Sequence, residues 1–197
     1  MIQTLSIRTR LCATTLALAL PLAASAHGQT QEGDADRSFA NADAALEALE
    51  EVLSCSADRA TFTAINDALT DLYYKETPEA AFKDWKYTPQ DDNAFIALYE
   101  LPRGVQVAGH ATRTIVSASG GLLGLLDDAD ARQLSAQLKL QRSELADHVY
   151  VREVERVEEG EGVFAMSFIK RLTVSTLSTH AGRTLAGCEY AVEQGGG

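Results

Sequence analysis

Imidazole carries protons and binds metals near neutral pH, so the histidines are the first place to look for chemistry in this chain. His110, His148 and His180 are the candidates within the folding region. His110 falls in strand phase with Gln106, Ala108 and Thr112. His148 follows Asp147 at a strand start, and His180 sits in a turn. None belongs to an HExxH or HxH spacing, so no preformed zinc site is legible. A hydrolase or isomerase reading needs two of these groups near a cleft, or His148 beside an acid brought close by folding. The plainer reading makes each a structural or exposed histidine.

Other spacings fail on chemical grounds. Ser117-Ala118-Ser119-Gly120-Gly121 lacks the glycine two places before the serine that a nucleophile elbow requires. Neither GxxxxGK[ST] nor GxGxxG occurs, so no phosphate loop is expected. Asp127-Asp128-Ala129-Asp130 would need glycine and glutamate where Arg132 and Leu138 stand, and so is no calcium loop. Its acids fit the start of a helix, where they meet exposed amides and the positive end of the dipole. No cofactor and no metal are expected.

Charge is concentrated at Glu153, Glu155, Glu158, Glu159 and Glu161. Glu153 and Glu155 share one face if their strand is regular, and the others adjoin in a loop. Such a cluster either solvates a sheet edge and deters aggregation, or attracts a basic partner through its field. Trp85 and Tyr87, between Pro78 and Pro89, form either an exposed aromatic contact or a piece of core. The formal net charge of −11 argues against nucleic acid and anionic membrane surfaces as partners.

The N-terminus reads as an export signal. Arg8 and Arg10 precede the apolar run Leu11–Ala24, and Ala24-Ser25-Ala26 offers a small-x-small cleavage site. The run is too short to span roughly 30 Å of hydrocarbon. Residues 1–26 are therefore expected to be removed, with no stable membrane anchor. The product would be periplasmic in a two-membrane bacterium and extracellular otherwise. Removal takes the formal charge from −11 to −13, because two arginines and no acid are lost. It also removes Cys12, leaving Cys55 and Cys188, which in an exported chain read as one disulfide.

Residues 27–37 lack hydrophobic periodicity and read as a disordered tail, 38–193 as one α+β domain, and 194–197 as a flexible end. Phe39, Ala42, Ala45, Leu46, Leu49, Val52 and Leu53 mark one helical face. Arg59–Tyr74 predicts a second helix with Phe62, Ile65 and Leu69 inward, and Pro78 a short third one. A hairpin is expected from Phe95 to Ala118, turning at Leu101-Pro102-Arg103-Gly104. Then come an apolar run Leu122–Leu126 and a helix over 127–141. Three strands (149–157, 163–178 and 184–193) complete an antiparallel meander that forms one curved sheet. Cys188 falls on the core face with Ala186, Tyr190 and Val192.

This pattern points first to an exported, non-enzymatic acidic protein that binds a more basic macromolecule. An inhibitor, immunity or envelope-assembly role would suit it. The alternative is a domain that holds a small apolar ligand among Phe95, Tyr99, Phe164, Met166 and Phe168. A histidine-dependent enzyme is the third reading.

Overall fold

The computed structural model describes residues 38–89, 96–118, 120–144, 146–160, 165–176 and 182–194. The expected signal peptide and tail lie outside these residues, as do Phe95, Glu161, Phe164 and His180. Two helices open the described chain. α1 (Ala42–Leu53) starts at Asn41, whose side chain accepts from the Ala44 amide, and buries Ala45, Leu46, Leu49, Val52 and Leu53 on one face. Each fully buried leucine contributes about 2 kcal/mol of transfer free energy. α2 (Arg59–Tyr74) starts at Asp58, which accepts from the Thr61 amide, and ends where Lys75 turns left-handed.

Among the described residues, eight antiparallel strands form one sheet: β1 (Lys86–Thr88), β2 (Ile96–Val107), β3 (His110–Ala118), β4 (Gly121–Leu126), β5 (Gln141–Arg142), β6 (Val149–Glu159), β7 (Met166–Thr176) and β8 (Thr184–Gln194). Their order across the sheet is β1-β2-β3-β4-β8-β7-β6-β5. This overturns the expected fold of a hairpin plus a three-stranded meander. Leu122–Leu126 is not a connector but the core of β4, which pairs β3 on one side and β8 on the other. All six β4 residues are buried, so neither face carries the polar residues that would have marked a strand by alternation. At Gly187 of β8 the ladder closes so tightly that an added Cβ would collide with the Leu122 carbonyl oxygen. β1 and β5, at the two margins, are too short to leave a pattern.

The hairpin turns elsewhere than expected. β2 runs on through Pro102-Arg103-Gly104, and the chain reverses at Ala108-Gly109, both with positive φ (51° and 83°). Such a two-residue turn matches strand twist, which Pro-Arg-Gly could not do. The proline is tolerated because the β2–β3 register shifts between Glu100 and Val105, so the ladder does not need its missing amide. The helix expected over 127–141 is confined to α3 (Ala131–Gln137), after which Lys139 adopts positive φ and residues 141–142 join the sheet. The short third helix is a single 3-10 turn, Ala80–Phe82.

The helices lie on one face of the sheet, where Tyr99, Leu101, Ile115, Leu122, Leu126, Val174 and Ala186 meet Leu46, Leu49, Ile65, Leu69, Phe82 and Leu134. The other face holds a smaller apolar cluster of Ile96, Leu98, Val116, Leu123, Leu125 and Leu185. Cys55 and Cys188 form the expected disulfide, with Cα atoms 5.2 Å apart. Closing a loop of 133 residues contributes about 5 kcal/mol in the chain-entropy picture. Among the described residues no helix is long and apolar enough to cross a membrane.

Candidate functional site

The disulfide fixes the geometry of a cleft. Cys55 lies just ahead of Asp58, the cap of α2, and Cys188 lies one strand repeat before Tyr190 on the helix-facing side of β8. The crosslink thereby holds the first turn of α2 against the outer part of β6–β7–β8. Between them is a cleft of about 390 Å³. Phe62, Phe168, Tyr190, Val157 and Val192 supply its apolar lining, and Asp58, Arg59, Glu155, Glu159 and Lys170 its charges.

The aromatic groups are mutually fixed. Phe62 stacks on Tyr190 with centroids 4.1 Å apart and planes inclined by 9°. The Tyr190 hydroxyl donates to the Val52 carbonyl at 3.4 Å. Burial pushes the Tyr190 phenol up, and the nearby acids Asp58, Glu155 and Glu51 push it further. Arg59 occupies the first position of α2, where a cation opposes the helix dipole. Its guanidinium instead lies 3.8 Å above the Phe168 ring, an attraction that offsets the unfavourable placement. Glu155 is ion-paired to Lys170. Val157 and Val192 remain 43% and 56% exposed, so the apolar lining continues onto the open surface. This arrangement can stack or enclose an apolar group and attract a charged one. Among the described residues its lining holds no histidine, cysteine or serine.

The four described glutamates of the expected cluster, Glu153, Glu155, Glu158 and Glu159, do not form one patch. Strand β6 is irregular: its register with β7 shifts between Glu153 and Glu155. That bulge at Val154 sends Glu155 and Glu159 to the helix-facing side and Glu153 and Glu158 to the other. On the far side Arg156 meets Glu153 at 2.8 Å, Glu193 at 3.4 Å and Glu158 at 3.9 Å. Arg171 pairs with Glu193 and Glu189. Hydrogen bonds from Arg156 hold the Glu153 carboxyl below the usual carboxylate range, and Arg171 does the same for Glu193.

The weaker candidates separate. His110 and His148 stand on β3 and at the start of β6, four strand spacings and so about 19 Å apart across the sheet. His148 is exposed, and its carbonyl accepts from the Thr176 amide beside a second recess of about 350 Å³. Arg132, Tyr150 and Arg183 line that recess, and Arg183 is held by Asp127 at 2.8 Å. Trp85 is 2% exposed and packs edge-on against Phe82, so it belongs to the core. Of the residues expected around a ligand, Tyr99 is buried and donates to the Leu69 carbonyl, Met166 is exposed, and Phe168 lines the cleft. Among the described residues no three potential metal ligands converge.

Arg59, Lys170, Phe62 and Tyr190 are the site residues that sequence reasoning did not single out. Periodicity places Phe62 and Tyr190 on inward faces, and the disulfide that brings those faces together is the signal that points to them. No family model matches this chain, and no curated protein or solved structure matches it.

Proposed function

We propose that this chain is an exported, non-enzymatic binding protein. Its contact site is the cleft between the start of α2 and strands β6, β7 and β8. The observation that carries this reading is an aromatic floor, locked by the Cys55–Cys188 crosslink, beneath a rim that includes Asp58, Glu155 and Glu159. Rigid, half-exposed aromatic side chains lose little entropy on contact, which is why such groups anchor interfaces. The acidic balance of the whole chain favours a partner richer in Lys and Arg and speeds its encounter.

The test is affinity capture with the disulfide-intact protein against an extract of its own compartment, at low and high salt. A stoichiometric basic partner should be retained at low salt and released at high salt, because a Debye length near 8 Å screens rim charges. The Phe168→Ala protein should retain much less. Equal retention by that variant, or retention indifferent to salt, overturns the reading.

A second reading, a small apolar ligand in the same cleft, is favoured by its volume, which falls within the range of ligand pockets. Thermal shifts with small apolar amines and acids address it. Stabilisation that survives salt and is lost in Phe62→Ala would make the small molecule the primary ligand.

A further inference from the structure

Beside the cleft lies a sheet edge that is largely unpaired among the described residues. β6 pairs with β7 along its whole length, from Val149–Ser175 to Glu159–Met166. On its outer side β5 covers only Tyr150 and Val151. Among the described residues, no strand pairs with 153–159 on that side, and each of these seven side chains is exposed. An edge of this kind presents backbone donors and acceptors at every second residue, over roughly 20 Å.

We infer that this edge receives an extended, cationic segment of the partner as an added strand. The inference rests on the binding reading above and specifies how the partner docks. Three observations support it together. First, the helix-facing side chains of the open stretch, Glu155, Val157 and Glu159, are also one wall of the cleft. Alternate side chains of an added strand would therefore continue that wall and reach toward Phe168 and Arg59. Backbone pairing supplies affinity in this mode, and alternate side chains supply specificity.

Second, residues 152–159 contain four glutamates against two arginines, Arg152 and Arg156. The edge is acidic on both sides of the sheet, and among the described residues no cation is paired with Glu159. Third, the same charges disfavour a second copy: pairing β6 with β6 places glutamates near glutamates, which cross-strand energetics penalise. A lysine- or arginine-bearing strand meets the opposite situation.

The experiment uses the disulfide-intact protein at low salt and three seven-residue peptides. One alternates lysine with valine, the second is the same peptide with alternate backbone nitrogens methylated, and the third replaces lysine by glutamate. The expected result is binding of the first peptide, with slowed hydrogen exchange of amides within 153–159. The methylated peptide should bind at least about tenfold more weakly, as loss of two or three backbone hydrogen bonds requires. The acidic peptide should bind weakest.

Equal binding of the methylated peptide overturns strand addition while leaving the cleft reading in place, because its side chains are intact. Protection confined to Phe62 and Tyr190 does the same. Equal binding of the acidic peptide overturns the assigned charge of the partner. A concentration-dependent dimer that the lysine peptide displaces overturns the hetero-partner and assigns the edge to a second copy. Failure of both lysine peptides overturns the inference and the basic-partner reading together.

Discussion

The two halves of the sheet solve opposite problems. In the half made of β2, β3, β4 and the start of β8, both faces are covered by apolar residues, Ile115 and Leu122 on one side and Val116 and Leu123 on the other. In the half made of β6, β7 and the end of β8, the far face carries Glu153, Arg156, Arg171, Glu189 and Glu193, and the helix-facing side opens into the cleft. Apolar burial is concentrated in the first half, and the open cleft proposed as the contact site lies in the second. The crosslink joins them, since Cys188 sits where β8 passes from one to the other. Binding surfaces commonly take this arrangement, a low-burial margin held by a rigid interior.

The largest effect should come from cutting that join. Replacing Cys55 and Cys188 together by alanine should cost about 2–5 kcal/mol in denaturant unfolding. It should also release the start of α2, seen as faster hydrogen exchange there than in α1. If stability fell but α2 kept its protection, the crosslink would not be what positions the cleft.

Paired substitutions sharpen the contrast between the halves. Leu122→Ala should cost about 3 kcal/mol, because the fully buried site leaves a cavity. Val157→Ala should change stability by less than about 0.5 kcal/mol, as exposed positions do. Comparable losses at the two positions would erase the distinction.

Proton titration separates the halves more gently. Burial pushes the Tyr99 phenol up to about 12, with smaller contributions from Tyr87 and Tyr73. The folded value lies above the ordinary value near 10, so the associated stability is complete below that pH and lost as pH rises through about 12. Ultraviolet titration should show one phenol ionising only near pH 12, and that step should be missing from Tyr99→Phe. The smallest effect lies on the charged face. Glu153 and Glu193 are held below the usual carboxylate range, so their contribution is present at neutral pH and fades as acid protonates them. A slight decline in melting temperature on acidification below the usual carboxylate range should be abolished in Arg156→Ala plus Arg171→Ala, and an unchanged decline would assign it elsewhere.

Periodicity made the elements with one polar side legible. α1, α2, β6, β7 and β8 lie close to where the spacing of Leu49, Ile65, Val151 and Val174 placed them. The disulfide followed from counting cysteines. Three features left no such trace. β4 is apolar on both faces, so Leu122–Leu126 carries no period. The turn signal at Pro102-Arg103-Gly104 was misleading because a bulge accommodates the same residues. The bulge at Val154 inverts every side chain beyond it, so that Glu153 and Glu155, neighbours in a regular strand, face apart. The cleft was hidden for the same reason, since Phe62 and Tyr190 read as core until the crosslink set one against the other.

The order of strands has a consequence in time as well as in space. β8 is the last of the described strands, yet it lies between β4 and β7. A nascent chain can form the β2–β3–β4 and β6–β7 units from local pairings, but it cannot join them until residues 184–194 have emerged. The two units meanwhile present the inner edges that β8 will later occupy. Sheet closure and the Cys55–Cys188 bond are then one late, long-range event, of the kind that slows folding. Removing the final strand would leave two separate hairpin assemblies rather than a smaller version of the same protein.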